Sequence, residues 1–165
     1  MRILQILILF IFLGCTQKTF VYINTTQKPL KNIKKPIGIN EVDLPLYMSD
    51  LEVMKLKNSK LIHTGIYISK DIKNIFVTML SNILNDPYVY SYPFGMNIKP
   101  KEIINIKIDD FYLKDDKIIL NGRFFIKNKN ILFKKVSLDE KCGKNYKCIN
   151  EILKKFTKII AKDIK

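Results

Sequence analysis

The chain has 165 residues, 47% of them hydrophobic, enough for one domain that buries its own core. Its formal net charge is +14, from 29 Lys+Arg against 15 Asp+Glu. Beyond the first residues the one arginine is Arg123, whereas nucleic-acid sites draw on arginine forks and stacking, so the charge is read as lysine bias and a general attraction to anionic headgroups, with no nucleic-acid partner.

The first residues carry the strongest signal. Arg2 is followed by a nearly unbroken apolar run from Ile3 to Leu13, interrupted by Gln5. That run is too short for a membrane-spanning helix, which needs roughly 20 apolar residues, and it matches the hydrophobic region of a secretory signal. It ends in Leu13-Gly14-Cys15, which resembles a bacterial lipobox. The expected organisation is a signal peptide over residues 1–14, a lipidated Cys15 with a short tether to residue 19, and one domain over 20–165. The acyl chains, palmitate among them, would tie the domain to the bilayer, because more than one chain anchors stably. Thr16 rather than an acid after the cysteine points to the outer membrane rather than the inner one, with the domain facing the periplasm. An ordinary secretory signal is the competing reading.

Phe20 to Ile23 reads as a short strand, and Asn24 to Lys35, polar with Pro29, as a loop. Ile37, Ile39 and Val42 mark a half-buried strand. Leu44-Pro45-Leu46-Tyr47-Met48 follows, where Pro45 stops regular pairing. Glu52–Lys57 and Lys60–His63 are the arms of a hairpin around Asn58-Ser59. Ser69 is the expected N-cap of a helix whose stripe is Ile72, Ile75, Phe76, Met79, Leu80, Ile83 and Leu84. Asn85-Asp86-Pro87 ends it.

Tyr88, Tyr90, Tyr92 and Phe94 fall at alternate positions, which places four rings on one face of an extended segment. Packing of that face on the core is the favoured reading, and an exposed aromatic surface for a partner or lipid is the alternative. Ile104, Ile106 and Ile108 open a meander of long strands that turns at Asp115-Asp116 and continues over Ile118–Ile126 and Ile131–Leu138. The acids Asp109, Asp110, Asp115 and Asp116 lack the alternating ligand spacing and glycine of a calcium loop, and read as solvated turn residues. A last helix, from about Tyr146, carries the stripe Ile149, Ile152, Leu153, Phe156, Ile159, Ile160 and Ile164, with lysines on its other side.

Cys142 and Cys148, with five residues between them, remain once Cys15 takes the lipid. An oxidising compartment favours their pairing over free thiols, and a metal site would need further soft ligands nearby. There is no glycine-rich nucleotide loop and no Gly-x-Ser-x-Gly elbow, and the lone histidine, His63, sits in the hairpin context. No enzyme, no cofactor and no metal are expected.

The ordered set of pieces resembles a family. After the lipobox come Phe20-Val21-Tyr22-Ile23, then Ile37-Gly38-Ile39-Asn40-Glu41-Val42-Asp43-Leu44-Pro45-Leu46-Tyr47-Met48, and a hairpin. The meander runs through Ile104-Asn105-Ile106-Lys107-Ile108 and Gly122-Arg123-Phe124-Phe125-Ile126, and a C-terminal helix closes the chain. This is similar to the ABC-type transport auxiliary lipoproteins of the paraquat-inducible protein C type, although the family usually has tryptophan where this chain has Tyr67 and Phe124. The resemblance implies an α+β domain, an antiparallel-dominated sheet covered by two amphipathic helices. It also implies a docking role beside a mammalian-cell-entry (MCE) domain protein and ABC transporter subunits in envelope lipid transport, with homo-oligomerisation left open. Composition singles out Leu44, Pro45, Leu46, Tyr47 and Met48, and Tyr88, Tyr90, Tyr92 and Phe94, as the contact residues. A structural or assembly lipoprotein and a stand-alone lipid-binding module are the rival readings.

Overall fold

The computed structural model describes residues 18–33, 35–85, 88–127 and 131–164. The expected signal, Cys15, the first residues of the tether and the Asp86-Pro87 helix stop lie outside the described residues.

The apolar periods of the sequence become the elements. The first helix, α1, runs Ile72–Leu84, and all seven residues of its predicted stripe are buried. Burying a side chain of this size contributes roughly 1.5–3 kcal/mol before conformational entropy is counted. Its N-cap is Asp71 rather than Ser69: the Asp71 carboxylate accepts from the Lys73 N–H at 2.9 Å. Asn85, left-handed at φ 48°, closes the other end. The second helix, α2, spans Lys147–Asp163 and buries Ile149, Ile152, Leu153, Phe156 and Ile160.

Among the described residues nine strands accompany them: β1 Thr19–Val21, β2 Ile37–Asp43, β3 Met54–Lys57, β4 Lys60–Ile62, β5 Ile66–Ile68, β6 Val89–Ser91, β7 Glu102–Lys114, β8 Lys117–Lys127 and β9 Ile131–Lys141. The β3–β4 hairpin turns at Asn58 and Ser59, both at positive φ as a two-residue loop requires. The meander β7–β8–β9 is antiparallel throughout. The expected α+β class is borne out, and the remaining pairings make the sheet mixed rather than strictly antiparallel: β2 pairs parallel with both β6 and β7, β3 pairs parallel with β7, and β1 pairs parallel with β5 in a small second sheet. The sheet is mixed because the chain returns through crossovers, α1 among them, as parallel neighbours demand. Both helices pack on one face of the main sheet, so the protein is a single two-layer α+β domain.

β7 is the strand on which the rest is assembled. One edge carries β8 along its whole length. The other carries β2 from Glu102 to Lys107 and β3 from Tyr112 to Lys114. A bulge between Ile108 and Asp110 shifts the alternation by one residue, so Ile104, Ile106 and Ile108 point inward, and so do Phe111 and Leu113. Where β2 has ended and β3 has not begun, the Phe111 N–H lacks a strand partner and donates to the Tyr47 hydroxyl at 2.8 Å. Burial pushes the Tyr47 phenol above its ordinary pKa, against the opposing pull of that N–H. Gly122 of β8 lets Phe156 of α2 approach: a Cβ there would lie 2.9 Å from the Lys107 carbonyl and 3.3 Å from the Phe156 ring.

Cys142 and Cys148 are bonded, with 5.0 Å between their Cα atoms, and tie the end of β9 to the first turn of α2. Loop residues bind the other helix end: Leu30 N–H donates to the Ile83 carbonyl at 2.7 Å, Ile33 N–H to that of Leu84 at 3.2 Å, and the Lys31 ammonium to that of Ile164.

Two outcomes follow. Tyr47→Phe leaves the Phe111 N–H without its acceptor and lowers stability by about 1–3 kcal/mol in urea denaturation, with the folded spectrum retained. Replacing both Cys142 and Cys148 by alanine costs about 2 kcal/mol, a loss that reductant reproduces in the parent protein.

Candidate docking surface

The aromatic segment after α1 does not face the core. Val89 is the buried residue of β6, while Tyr88 and Tyr92 are about half exposed and Tyr90 is partly covered. The favoured sequence reading is thereby overturned, for a reason of phase. β6 is an edge strand beside β2, with Ile37 opposite Val89 and Gly38 opposite Tyr90. The Ile37 and Val89 positions face the helices, so the tyrosines take the face away from them. Four rings outweighed one valine in the sequence pattern, yet Val89 sets the orientation.

Packing holds the rings in place. Tyr88 and Tyr90 lie 6.5 Å apart between centroids, and Tyr92 meets Phe94 edge-on at 5.6 Å. The Tyr92–Pro93 peptide bond is cis. Phe94 sits directly over Gly38, where an added Cβ would come within 2.5 Å of the ring, so β2 uses the glycine as a seat for Phe94. Lys73 of α1 donates to the carbonyls of Asn40 at 3.0 Å and Tyr92 at 2.8 Å, and its ammonium lies 5.9 Å from the Tyr92 ring centre. Met96, in the following turn, is fully exposed.

The second predicted stretch divides. Leu46 stands free in solvent in a short 3-10 turn, Leu44 and Pro45 are half-covered, and Tyr47 is committed to Phe111. Met48 is 1% exposed and belongs to the core, which removes it as a contact residue. This stretch lies beyond the C-terminal end of β2, whereas β6 lies beside its N-terminal half, so the two are separate surfaces. Sequence reasoning missed further exposed apolar residues: Phe20 and Tyr22 beside β5, and Phe125 with Phe133, whose rings are 4.9 Å apart on β8 and β9. Period-two alternation flags Phe125, because it breaks the inward phase of Phe124 and Ile126.

Between the aromatic ends the outer sheet face is polar. Arg123 pairs with Asp109 at 3.2 Å, Asn121 donates to Asp110 at 2.9 Å, and Asn40 donates to Asn105 at 2.8 Å. The bulge places Asp109 and Asp110 together on this face, where they serve as partners of cationic and amide groups. Among the described residues no group of three His, Cys, Asp or Glu is placed to hold a metal ion. His63 is exposed and its Nδ1 lies 2.8 Å from a Glu52 carboxylate oxygen. Glu52 also accepts from the N–H groups of Thr64 at 2.9 Å and Gly65 at 2.8 Å. Burial alone would push this carboxyl up; the three hydrogen bonds outweigh it and hold the pKa below its ordinary value.

The comparisons bear on the fold. The structure is similar to the crystal structure of protein XCC0632 from Xanthomonas campestris, of family DUF330, with a TM-score of 0.67 at 8% identity, over 87% of this chain and 92% of that one. No family model matches this chain, and no curated protein matches it in sequence. No described helix is long and apolar enough to cross a membrane.

A group whose folded pKa is depressed stabilises the fold above its unfolded pKa and loses that contribution as pH falls through the folded value. Stability should therefore drop below about pH 4.5, the ordinary value for Glu52, and the drop should be shallower in Glu52→Gln. Urea midpoints of the two proteins across acid pH check this.

Proposed function

We propose that this chain is a membrane-anchored auxiliary lipoprotein of an MCE-associated, ABC-type lipid transport system. In this reading it is held by acyl chains on Cys15 at the outer membrane, faces the periplasm and docks on the transporter's MCE-domain component. It is a docking protein and not an enzyme. The observation that carries the reading is the aromatic edge of β6: Tyr88 and Tyr92 are held by packing yet spend their surface on solvent, as Tyr does at interfaces. The Leu13-Gly14-Cys15 sequence supports the anchor. The fold likeness to the DUF330 protein XCC0632 supports the α+β domain that this reading requires.

A mild-detergent pulldown of the tagged, full-length protein after crosslinking, with partners identified by mass spectrometry, tests it. The expected result is recovery of an MCE-domain protein with its permease and ATPase, and loss of most of that recovery in Tyr88→Ala/Tyr92→Ala at unchanged protein level. A crosslinked pulldown without them overturns the reading.

A further inference from the structure

The end of the domain nearest the chain's first residues has its own chemistry. Phe20 on β1 and Tyr22 just after it are 54% and 79% exposed. With Thr19 and Val21 they line one wall of a groove of about 630 Å³, whose other wall is Lys144 to Lys147 and the first turns of α2. Lys18 stands 5.3 Å above the Tyr67 ring, beside Phe20.

The first turn of α2 defies the usual rule for helix starts. Negative side chains stabilise that end and positive ones oppose it, yet this turn holds Lys147 and no acid, its N-cap Tyr146 makes no side-chain cap bond, and Lys144 precedes it. Glu151, one turn on, is occupied by Lys154 at 3.4 Å. The Asn150 Oδ1 is buried at the groove with no hydrogen-bond partner among the described residues. Both helices begin at this end: the Ser69 N–H, just before α1, donates to the Val21 carbonyl at 3.1 Å, and α2 starts against Thr19–Tyr22. The positive end of α2 adds to the lysines, while that of α1 is met by its own Asp71 carboxylate. Two exposed aromatic residues inside such a field are what an anionic membrane interface accepts, ring in the headgroup layer and ammonium on phosphate.

Distance fixes the occupant. Lys18 is three residue steps from Cys15, a reach of about 11 Å when fully extended. With Cys15 acylated, β1 starts within about that reach of the lipidated cysteine, so it is held at or just above the headgroup layer, which adds roughly 5–8 Å to each side of the hydrocarbon.

We infer that the β1–α2 face, with Phe20, Tyr22, Lys18, Lys144 and Lys147, is a second membrane contact that seats the domain on anionic phospholipid headgroups in a fixed orientation. The inference rests on the proposed anchor at Cys15. It leaves the β6 edge free for the protein partner.

The chain has no tryptophan, so a single one reports its own depth. Tyr22→Trp and, as a control, Phe133→Trp are made in the full-length lipoprotein. Phe133 adjoins Lys134, which pairs with Asp163 at the far end of α2, roughly 25 Å from the first turn. The proteins are reconstituted in phosphatidylcholine vesicles with and without phosphatidylglycerol, with brominated acyl chains as quencher, and intact mass establishes acylation of Cys15. The expected result is severalfold stronger quenching at position 22 than at 133 in anionic vesicles, lowered severalfold by Lys144→Glu/Lys147→Glu. Equal quenching at the two positions in acylated protein overturns the second contact and leaves the anchor standing. Absence of the acyl mass overturns both.

Discussion

Everything in this domain is hung on β7, and β7 is held on two edges by different rules. Along β8 it has one continuous antiparallel ladder. On the other edge two short parallel partners, β2 and β3, meet it in succession, and an interior sheet cannot leave the junction bare. The bulge and the Tyr47 hydroxyl solve that problem together. The bulge turns the strand at the junction, and the phenol supplies the acceptor that no backbone provides. The inward row of Ile104, Ile106, Ile108, Phe111 and Leu113 survives the change of partner, and both helices have a continuous apolar floor.

Much of this was legible in the residues, because burial writes itself as period. The α1 stripe, the α2 stripe and the Asn58-Ser59 hairpin needed no tertiary information. Sequence reasoning missed the bulge, although two adjacent acids put Phe111 out of phase with the isoleucines. What was not legible depends on neighbours. Parallel pairing of β2, β3 and β6 is a property of how the chain returns, which no local pattern encodes. The N-cap moved from Ser69 to Asp71 because Ser69 directly follows β5, its N–H bonded to the Val21 carbonyl, and the chain bends through Ser69 and Lys70 before the helix starts. Of the candidate contact residues, Leu46, Tyr88 and Tyr92 are on the surface while Met48 is in the core. Apolar composition gives the same signal in both places, and only packing separates them.

The arrangement of helices has an electrostatic cost. α1 and α2 are in contact and run the same way, so their negative ends coincide near Leu30–Ile33. Lys31 stands there with its ammonium on the Ile164 carbonyl, in a place buried enough to pull its pKa below the ordinary value. Lys162 adds a second cation in the last turn of α2. The polar sheet face and the two helix ends thus carry different charge, and a partner approaching the domain meets a different surface at each side.

The small parallel sheet of β1 and β5 has a mechanical meaning. Three register pairs, Thr19 with Ile66, Phe20 with Tyr67 and Val21 with Ile68, run the same way along both strands. Tension drawn out through residue 18, with the body of the domain restrained, acts along β1 and loads those rungs side by side instead of peeling them one after another. A domain tethered at this end resists tugging in shear, the stiffer of the two geometries, and a pull delivered there is passed into the core through β5 and α1 before the strand itself comes away.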